Sequence, residues 1–331
     1  MALSNENVQK LEHENTVLNA NEPQKAKKKG MSKKADLIFY ICMIAYPVIQ
    51  FCIFYVGVNF NSIILTFQKF DPKTGELMEW VLWDNLGDAL KKMLGEEDLF
   101  PLLMNSLKVY GLSFIISVPL GLFFSFGIYK KIPLGNFFRV MLFMPSIISG
   151  VIMVTIYMIF CDEGYPEIAK SLFGATGRVK GLLENKGVSD FGAIFFYNTW
   201  FGFGGGVLMY SNAMSGNISP EMVEAAELEG CSGIKEFIYI TFPLIFPTFS
   251  TFTITGVAGI FTNQFGLFTF FGSAAGKYIQ TYGYYLYIET LEATQTTYPL
   301  LASMGVWLTL VAAPMTFIVK WFMEKIDPTA D

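Results

Sequence analysis

The chain has 331 residues, 53% hydrophobic and 16% aromatic, with a formal net charge of −5. Only 15% of the residues are charged, well under the ~25% of a soluble domain. The apolar balance excludes soluble enzymes, DNA-binding proteins and secreted disulfide scaffolds, and 33 Phe, 16 Tyr and 5 Trp exclude a disordered chain.

Six stretches hold no Asp, Glu, Lys, Arg or His: 37–68, 109–129, 140–161, 191–220, 237–276 and 293–319. Each is long enough to cross a bilayer, which takes ~20 apolar residues. The expectation is an all-α polytopic membrane protein with six transmembrane helices, near 37–59, 105–128, 138–160, 191–214, 247–270 and 299–321. Four cysteines, at 42, 52, 161 and 231, show neither a disulfide framework nor metal-ligand spacing. The single histidine, His13, lies in a polar tail, so no histidine-based catalytic centre is expected.

Residues 1–36 form that tail, expected to be disordered, with Leu11 and Leu18 hinting at a short amphipathic turn. Lys25, Lys27, Lys28, Lys29, Lys33 and Lys34 abut the first apolar run and place the N-terminus in the cytoplasm. The n-region and the apolar run are both too long for a cleaved signal peptide. Loops 61–104, 161–190 and 271–298 then face out, while 129–137, 215–246 and the C-terminal tail 327–331 face in. Lys130, Lys131, Arg139, Lys320 and Lys325 support that orientation. Pro47, Pro119, Pro145 and Pro314 fall inside spans and should kink them. Gly202, Gly204, Gly205 and Gly206 should permit close or mobile helix packing in the fourth span.

The second inner loop is acidic, with Glu221, Glu224, Glu227, Glu229 and Glu236 against one cation, Lys235. It reads as two short helices and a bend. Ser219 suits an N-cap and Pro220 the first helical position, and Glu221 and Glu224 favour the positive helix end. Gly230 can end the first helix in a left-handed conformation. Ser232 can cap the second, which Pro243 should stop, with Ile234, Phe237, Ile238 and Thr241 on one face at helical spacing.

This stretch closely resembles the EAA loop of ABC importer permeases: Glu224-Ala225-Ala226, then Gly230, then Ile240-Thr241-Phe242-Pro243 at the matching spacing. Glu229 stands where the family usually has Asp, and Phe242 where it usually has Leu; charge and apolarity are kept. Phe138-Arg139 with Phe143-Met144-Pro145, the segment from Trp80 to Ser106 with its Asn105-Ser106, and Tyr298-Pro299 with Ala302-Ser303 resemble the maltose and multiple-sugar subgroup. The resemblance covers roughly 35–326 and is poorest at Gly272-Ser273-Ala274-Ala275-Gly276, where the family carries a Gly-Gly-Pro segment.

The resemblance implies a permease domain over 37–326, in a bacterial or archaeal cell membrane. It implies that Glu224, Ala225, Ala226, Gly230, Ile240 and Pro243 dock in a groove of a separate ATPase, whose closure turns the spans outward-facing. It implies as partners a second permease subunit, two copies of the ATPase and an external solute-binding protein, and no nucleic acid. ATP and Mg are expected on the ATPase, with no cofactor in this chain. The segment Gly272 to Lys277 has three residues between its glycines where a P-loop needs four, and Tyr278 replaces its Ser or Thr.

The resemblance implies a sugar or oligosaccharide as cargo. Asn198, Trp200, Tyr210, Asn263 and Gln264 are the candidate path, with Tyr197, Asn212 and Thr262 beside them. Amides can hydrogen-bond sugar hydroxyls and rings can stack on apolar faces, while the same amides can instead bond neighbouring helices. Another small polar solute, such as glycerol phosphate, is the alternative cargo. A secondary transporter would need inverted repeats or buried ions, and a membrane enzyme clustered acids or His, which the sequence lacks. The pair Asp162-Glu163 reads as a solvated loop.

Overall fold

The computed structural model describes residues 33–96, 99–174, 178–184, 188–202, 204–231 and 233–329. Residues 1–32 of the expected disordered tail 1–36, with Leu11, His13, Leu18 and Lys25 to Lys29, and the expected cap Ser232, lie outside them, whereas its last four residues, 33–36, are helical. The chain divides into two units, residues 1–60 and 61–331.

In the first unit the helix begins at Lys33 and carries Pro47 in its interior. It belongs to the apolar helix α1 (Leu37–Leu65), which runs past the expected end at 59 and widens into π turns at Phe51–Gly57. Proline removes one N–H and crowds the preceding turn, and the helix continues through it as a membrane helix can.

The second unit opens with an antiparallel hairpin of β1 (Gln68–Phe70) and β2 (Leu77–Trp80), followed by helix α2 (Asp84–Lys91). The Asn85 amide donates to the Thr66 and Gln68 carbonyls, at 2.9 and 2.8 Å, and fixes the helix to the hairpin. Helix α3 (Phe100–Tyr129) follows and spans the predicted 105–128 with no break at Pro119. Its Pro101 sits in the first turn, where the missing N–H has no helical partner to lose.

The predicted third span, 138–160, is not one straight helix. Helix α4 (Gly135–Ile147) and helix α5 (Gly150–Leu172) meet at 101°. Pro145 removes a ladder bond near the end of α4, and Ser146 Oγ takes the Phe143 carbonyl at 2.6 Å. Ile148 is then extended, and the Ser149 carbonyl accepts from Met153 to start α5. Helix continues to Phe173, so the expected loop 161–190 begins later. Asp162 and Glu163 lie on its π turns rather than in a loop. The fourth predicted span, 191–214, covers two helices, α6 (Val188–Gly202) and α7 (Gly204–Asn217).

Helix α8 (Pro220–Leu228) belongs to the acidic loop. Helix α9 (Ile234–Ala258) corrects two expectations: Pro243 does not stop it, and the apolar helix over the predicted 247–270 starts already at Ile234 and ends at Ala258. The backbone over Phe237–Thr241 is π-helical, and Pro243 falls in the first turn of the α-helix beyond it. A widened turn places the proline where no regular N–H bond is forfeited. Turns over 259–266 lead to α10 (Leu267–Phe271), α11 (Tyr282–Glu292) and the long α12 (Tyr298–Ile326). Among the described residues four helices, α1, α3, α9 and α12, are long and apolar enough to cross a membrane, or five if the bent pair counts as one.

Two large apolar clusters hold the second unit. One joins Val109, Tyr157, Ile194, Phe265 and Tyr284; the other joins Ala89, Leu102, Phe261, Tyr282 and Met304. Trp307 Nε1 donates to the Leu86 carbonyl at 2.9 Å, fixing α2 on α12. The segment 275–282 is tied to α3 by side chains: Asn105 Nδ2 donates to the Tyr278 and Gln280 carbonyls at 3.0 and 3.1 Å, and Ser106 Oγ accepts from Tyr282 N at 2.9 Å. Tyr278 also donates to the buried carboxylate of Asp190.

Candidate functional site: an acidic loop fused to a long helix

The start and stop of α8 follow from its residues. The Ser219 hydroxyl accepts from Met222 N at 3.4 Å, and Pro220 occupies the first turn. Glu221 lies in that turn; its own N–H, and then the Ser219 hydroxyl, hold its carboxyl below the usual range. Glu224 lies a turn further on, where the helix dipole has largely faded, so it is not the end-charge expected from sequence.

At the other end Gly230 N donates to the Glu227 carbonyl at 3.0 Å, and Cys231 N to the Ala226 carbonyl at 2.8 Å. That pair of bonds is a Schellman cap, and Gly230 takes φ +76° as the cap requires. Gly233 also has positive φ and turns the chain into α9.

Helix α8 divides into two faces at helical spacing. Val223 and Ala226 pack inward, and Glu227 on the same side reaches Lys130. Glu224, Ala225 and Leu228 are exposed, Leu228 by 90%. Across the bend Ile234 is 77% exposed. The docking residues implied by the resemblance are thus split: Ala226 serves the chain's own core, whereas Ala225 and Gly230 lie open.

The apolar face expected at Ile234, Phe237, Ile238 and Thr241 is split, with Phe237 and Thr241 turned inward and the two isoleucines outward. Ile234 and Ile238 are exposed, whereas Glu236 and Thr241 are buried. These two lie five positions apart, the span of the i→i+5 bonds of the π turns that replace α geometry here. Ile240 and Pro243 are half-buried on the same helix.

Lys130, just past the end of α3, closes the loop against the rest of the molecule. Its ammonium lies 3.0 Å from Glu236 Oε2 and 3.3 Å from Glu227 Oε1. Glu236 is 1% exposed. The 3.0 Å contact is an ion pair without hydrogen-bond alignment, and the bond to Glu227 is aligned. Partial burial pulls the Lys130 pKa down, but its contacts with Glu236 and then Glu227 outweigh this and hold it above its ordinary 10.5. Both ends suit their helices: a cation at the C-terminus of α3 and a carboxylate in the first turn of α9. Sequence reading missed this pair; Glu236, standing at the edge of a long charge-free stretch, was the available signal.

The five candidate path residues do not form one cluster. Asn198 Nδ2 donates to the Ile194 carbonyl at 2.9 Å and to the Phe265 carbonyl at 3.2 Å, so it bonds helix to turn. Asn263 Oδ1 accepts from Phe265 N at 2.8 Å, and its carbonyl accepts from Thr281 at 2.7 Å. Asn198, Asn263 and Gln264 therefore meet around one turn. Trp200 is exposed and stacked on Phe196 at 6.1 Å. Tyr210 is buried elsewhere, among Leu122, Met214 and Ile245, with its ring against Phe252.

Residues 117–331 match the family model described as binding-protein-dependent transport system inner membrane component. The chain belongs to this family. It is thus a transport permease and a multi-pass membrane protein rather than an enzyme. The arabinooligosaccharides transport system permease protein AraP of Bacillus subtilis (strain 168) is 24% identical over 305 residues, covering 89% of this chain and 92% of the relative. Protein LplB of the same organism is 21% identical over 299 residues, covering 89% and 91%. A chain of a bacterial ABC transporter involved in the import of the acidic polysaccharide alginate shares the fold, with TM-score 0.70 at 17% identity, covering 88% of this permease and 97% of that chain.

Proposed function

We propose that this permease is the transmembrane subunit of an ATP-driven importer of the bacterial or archaeal plasma membrane, moving an oligosaccharide delivered by an external binding protein. The observation that carries the reading is the exposed face of Ala225, Leu228 and Ile234, presented on a capped bend that is continuous with α9. A protruding apolar face on a charged loop calls for a protein partner. The partner is an ATPase dimer on the cytoplasmic side, which binds ATP and Mg. Six crossings, with the bent α4–α5 pair as the third and α6–α7 as the fourth, put both termini inside. A second permease completes the pore.

An oligosaccharide is supported by the relatives: AraP is named for arabinooligosaccharides, and a solved alginate transporter is in complex with an alginate pentasaccharide-bound periplasmic protein. Within this chain, exposed Trp200 offers a stacking face, Gln264 an amide, and Asn263 its amide nitrogen, since its Oδ1 already accepts from Phe265 N. Asn198 keeps a structural role, since its amide is engaged.

The deciding experiment is uptake by the complete complex, with its binding protein, of labelled monosaccharides, arabino-oligosaccharides, alginate pentasaccharide and glycerol phosphate. Saturable, ATP-dependent uptake of an oligosaccharide is the expected result. Transport of glycerol phosphate alone would replace the cargo assignment, and uptake without ATP or binding protein would overturn the importer reading.

A further inference from the structure

Helix α9 moves with the acidic loop because the two are covalently one element from Ile234 to Ala258. Helix α3 has no such continuity: Lys130 and Glu227 are 97 positions apart in sequence. Lys130 nevertheless bridges both halves of the loop, Glu227 on α8 and Glu236 at the head of α9. We propose that Lys130 is a positioning residue that clamps α3 to the docking loop, so that a pull on α8 moves α3 and α9 as one body.

This inference rests on the importer reading of the loop. Three features of the geometry carry it. Glu227 lies on the face of α8 turned to its own chain, so it remains engaged when the opposite face, Ala225 and Leu228, meets a partner. Glu236 is buried, and a buried carboxylate facing one ammonium cannot exchange partners with water as a surface pair does. At its far end α3 is fastened to the segment 278–282 through Asn105 and Ser106. A clamp at Lys130 therefore connects the loop to the segment 278–282 through a single continuous helix of 30 residues.

The apolar contact between the same helices does not depend on the charge. Phe126 on α3 meets Phe237 on α9 edge to face, with ring centroids 5.2 Å apart. Replacing Lys130 thus leaves α3 and α9 packed while removing the bridge to the loop.

The test uses the complete complex in membrane vesicles, with the panel oligosaccharide that the wild type takes up fastest. Three quantities are read: ATPase subunit retained per permease, ATP hydrolysed, and sugar imported per ATP. In K130M the retained ATPase should match the wild type, while sugar per ATP falls about tenfold, the size of a typical coupling between sites. K130R, which keeps the cation, should restore most of the ratio. E236Q should behave as K130M, and K130M/E236Q should be no worse than either alone. An unchanged ratio in K130M, or a loss of retained ATPase in proportion to lost uptake, would overturn the clamp and leave Lys130 as a structural ion pair. The wild type separates the two readings: absence of uptake of every panel sugar by the wild-type complex would overturn the importer assignment itself, and the clamp with it.

Discussion

Gly230 carries the sharpest single-residue requirement in the loop. Its φ of +76° and its N–H bond to Glu227 exclude both a Cβ-branched residue and proline. A left-handed non-glycine residue costs roughly 1–2 kcal/mol, more when β-branched. G230V should therefore reach the membrane but lose substrate-stimulated ATP hydrolysis, read alongside surface expression; full stimulation in G230V would remove the loop from the coupling path. The adjacent alanines should part company. A226L forces a large side chain into a buried position and should lower thermal stability by about 1–3 kcal/mol. A225L, on the open face, should leave the melting midpoint of the isolated permease unchanged and weaken retention of the ATPase in a pull-down. Charge behaves differently at the two ends of the loop. Glu221 has a depressed pKa, so its stabilisation of the helix start is present above the ordinary carboxylate range and fades as pH falls through its folded value. Lys130 has a raised pKa, so its contribution is complete below 10.5 and is lost only as pH rises beyond that. A pH series across the neutral range should show no change in sugar imported per ATP that is traceable to Lys130.

At Gly204, α7 comes against the backbone of α4. A methyl group on Gly204 would collide with the Leu142 carbonyl and come within 3.0 Å of its carbonyl carbon. Backbone cannot rotate away as a side chain can, so G204A should cost stability of order 1–3 kcal/mol by overpacking. Thermal inactivation of the purified permease checks this, with G205A, which meets nothing within 4 Å, as the control. The glycines in this run are therefore not equivalent, although the sequence presents them alike. At the other end of α3, Asn105 serves two carbonyls with one amide. N105L removes both bonds, each worth about 0.5–1.5 kcal/mol net. It should increase hydrogen exchange over 278–282 while exchange at 122–129 stays as in the wild type.

At the scale of the whole molecule, the proposed topology fixes which loops an external reagent can reach. The proposed inside placement of the acidic loop predicts that single cysteines at Lys73 and Lys180 react with an impermeant thiol reagent applied from outside. A cysteine at Leu228, the most exposed position of the loop, should react only after the membrane is opened. External labelling at 228 would invert the topology and reject the docking reading. The candidate spans leave large apolar faces uncovered, on α1 above all, where an apolar stretch of 18 residues has no buried position. Such faces are stable in lipid or against other membrane helices and nowhere else.

Composition and periodicity alone determined that this chain crosses membranes by helices, because charge-free runs of bilayer length admit almost no other structure. They also located the capped bend, since Ser219, Pro220 and Gly230 are local requirements that the neighbouring backbone imposes. Where helices break or continue was decided by tertiary structure. Pro145 precedes a 101° bend, whereas Pro243 sits in an unbroken helix because π turns absorb it. Pro145 forfeits a ladder bond inside its helix, whereas Pro243 follows a widened turn that leaves no regular bond to lose, and no single residue encodes that widening. Burial of Glu236 against Lys130 was decided at the same level. It joins residues more than a hundred positions apart, and only the packed fold brings the two charges within reach.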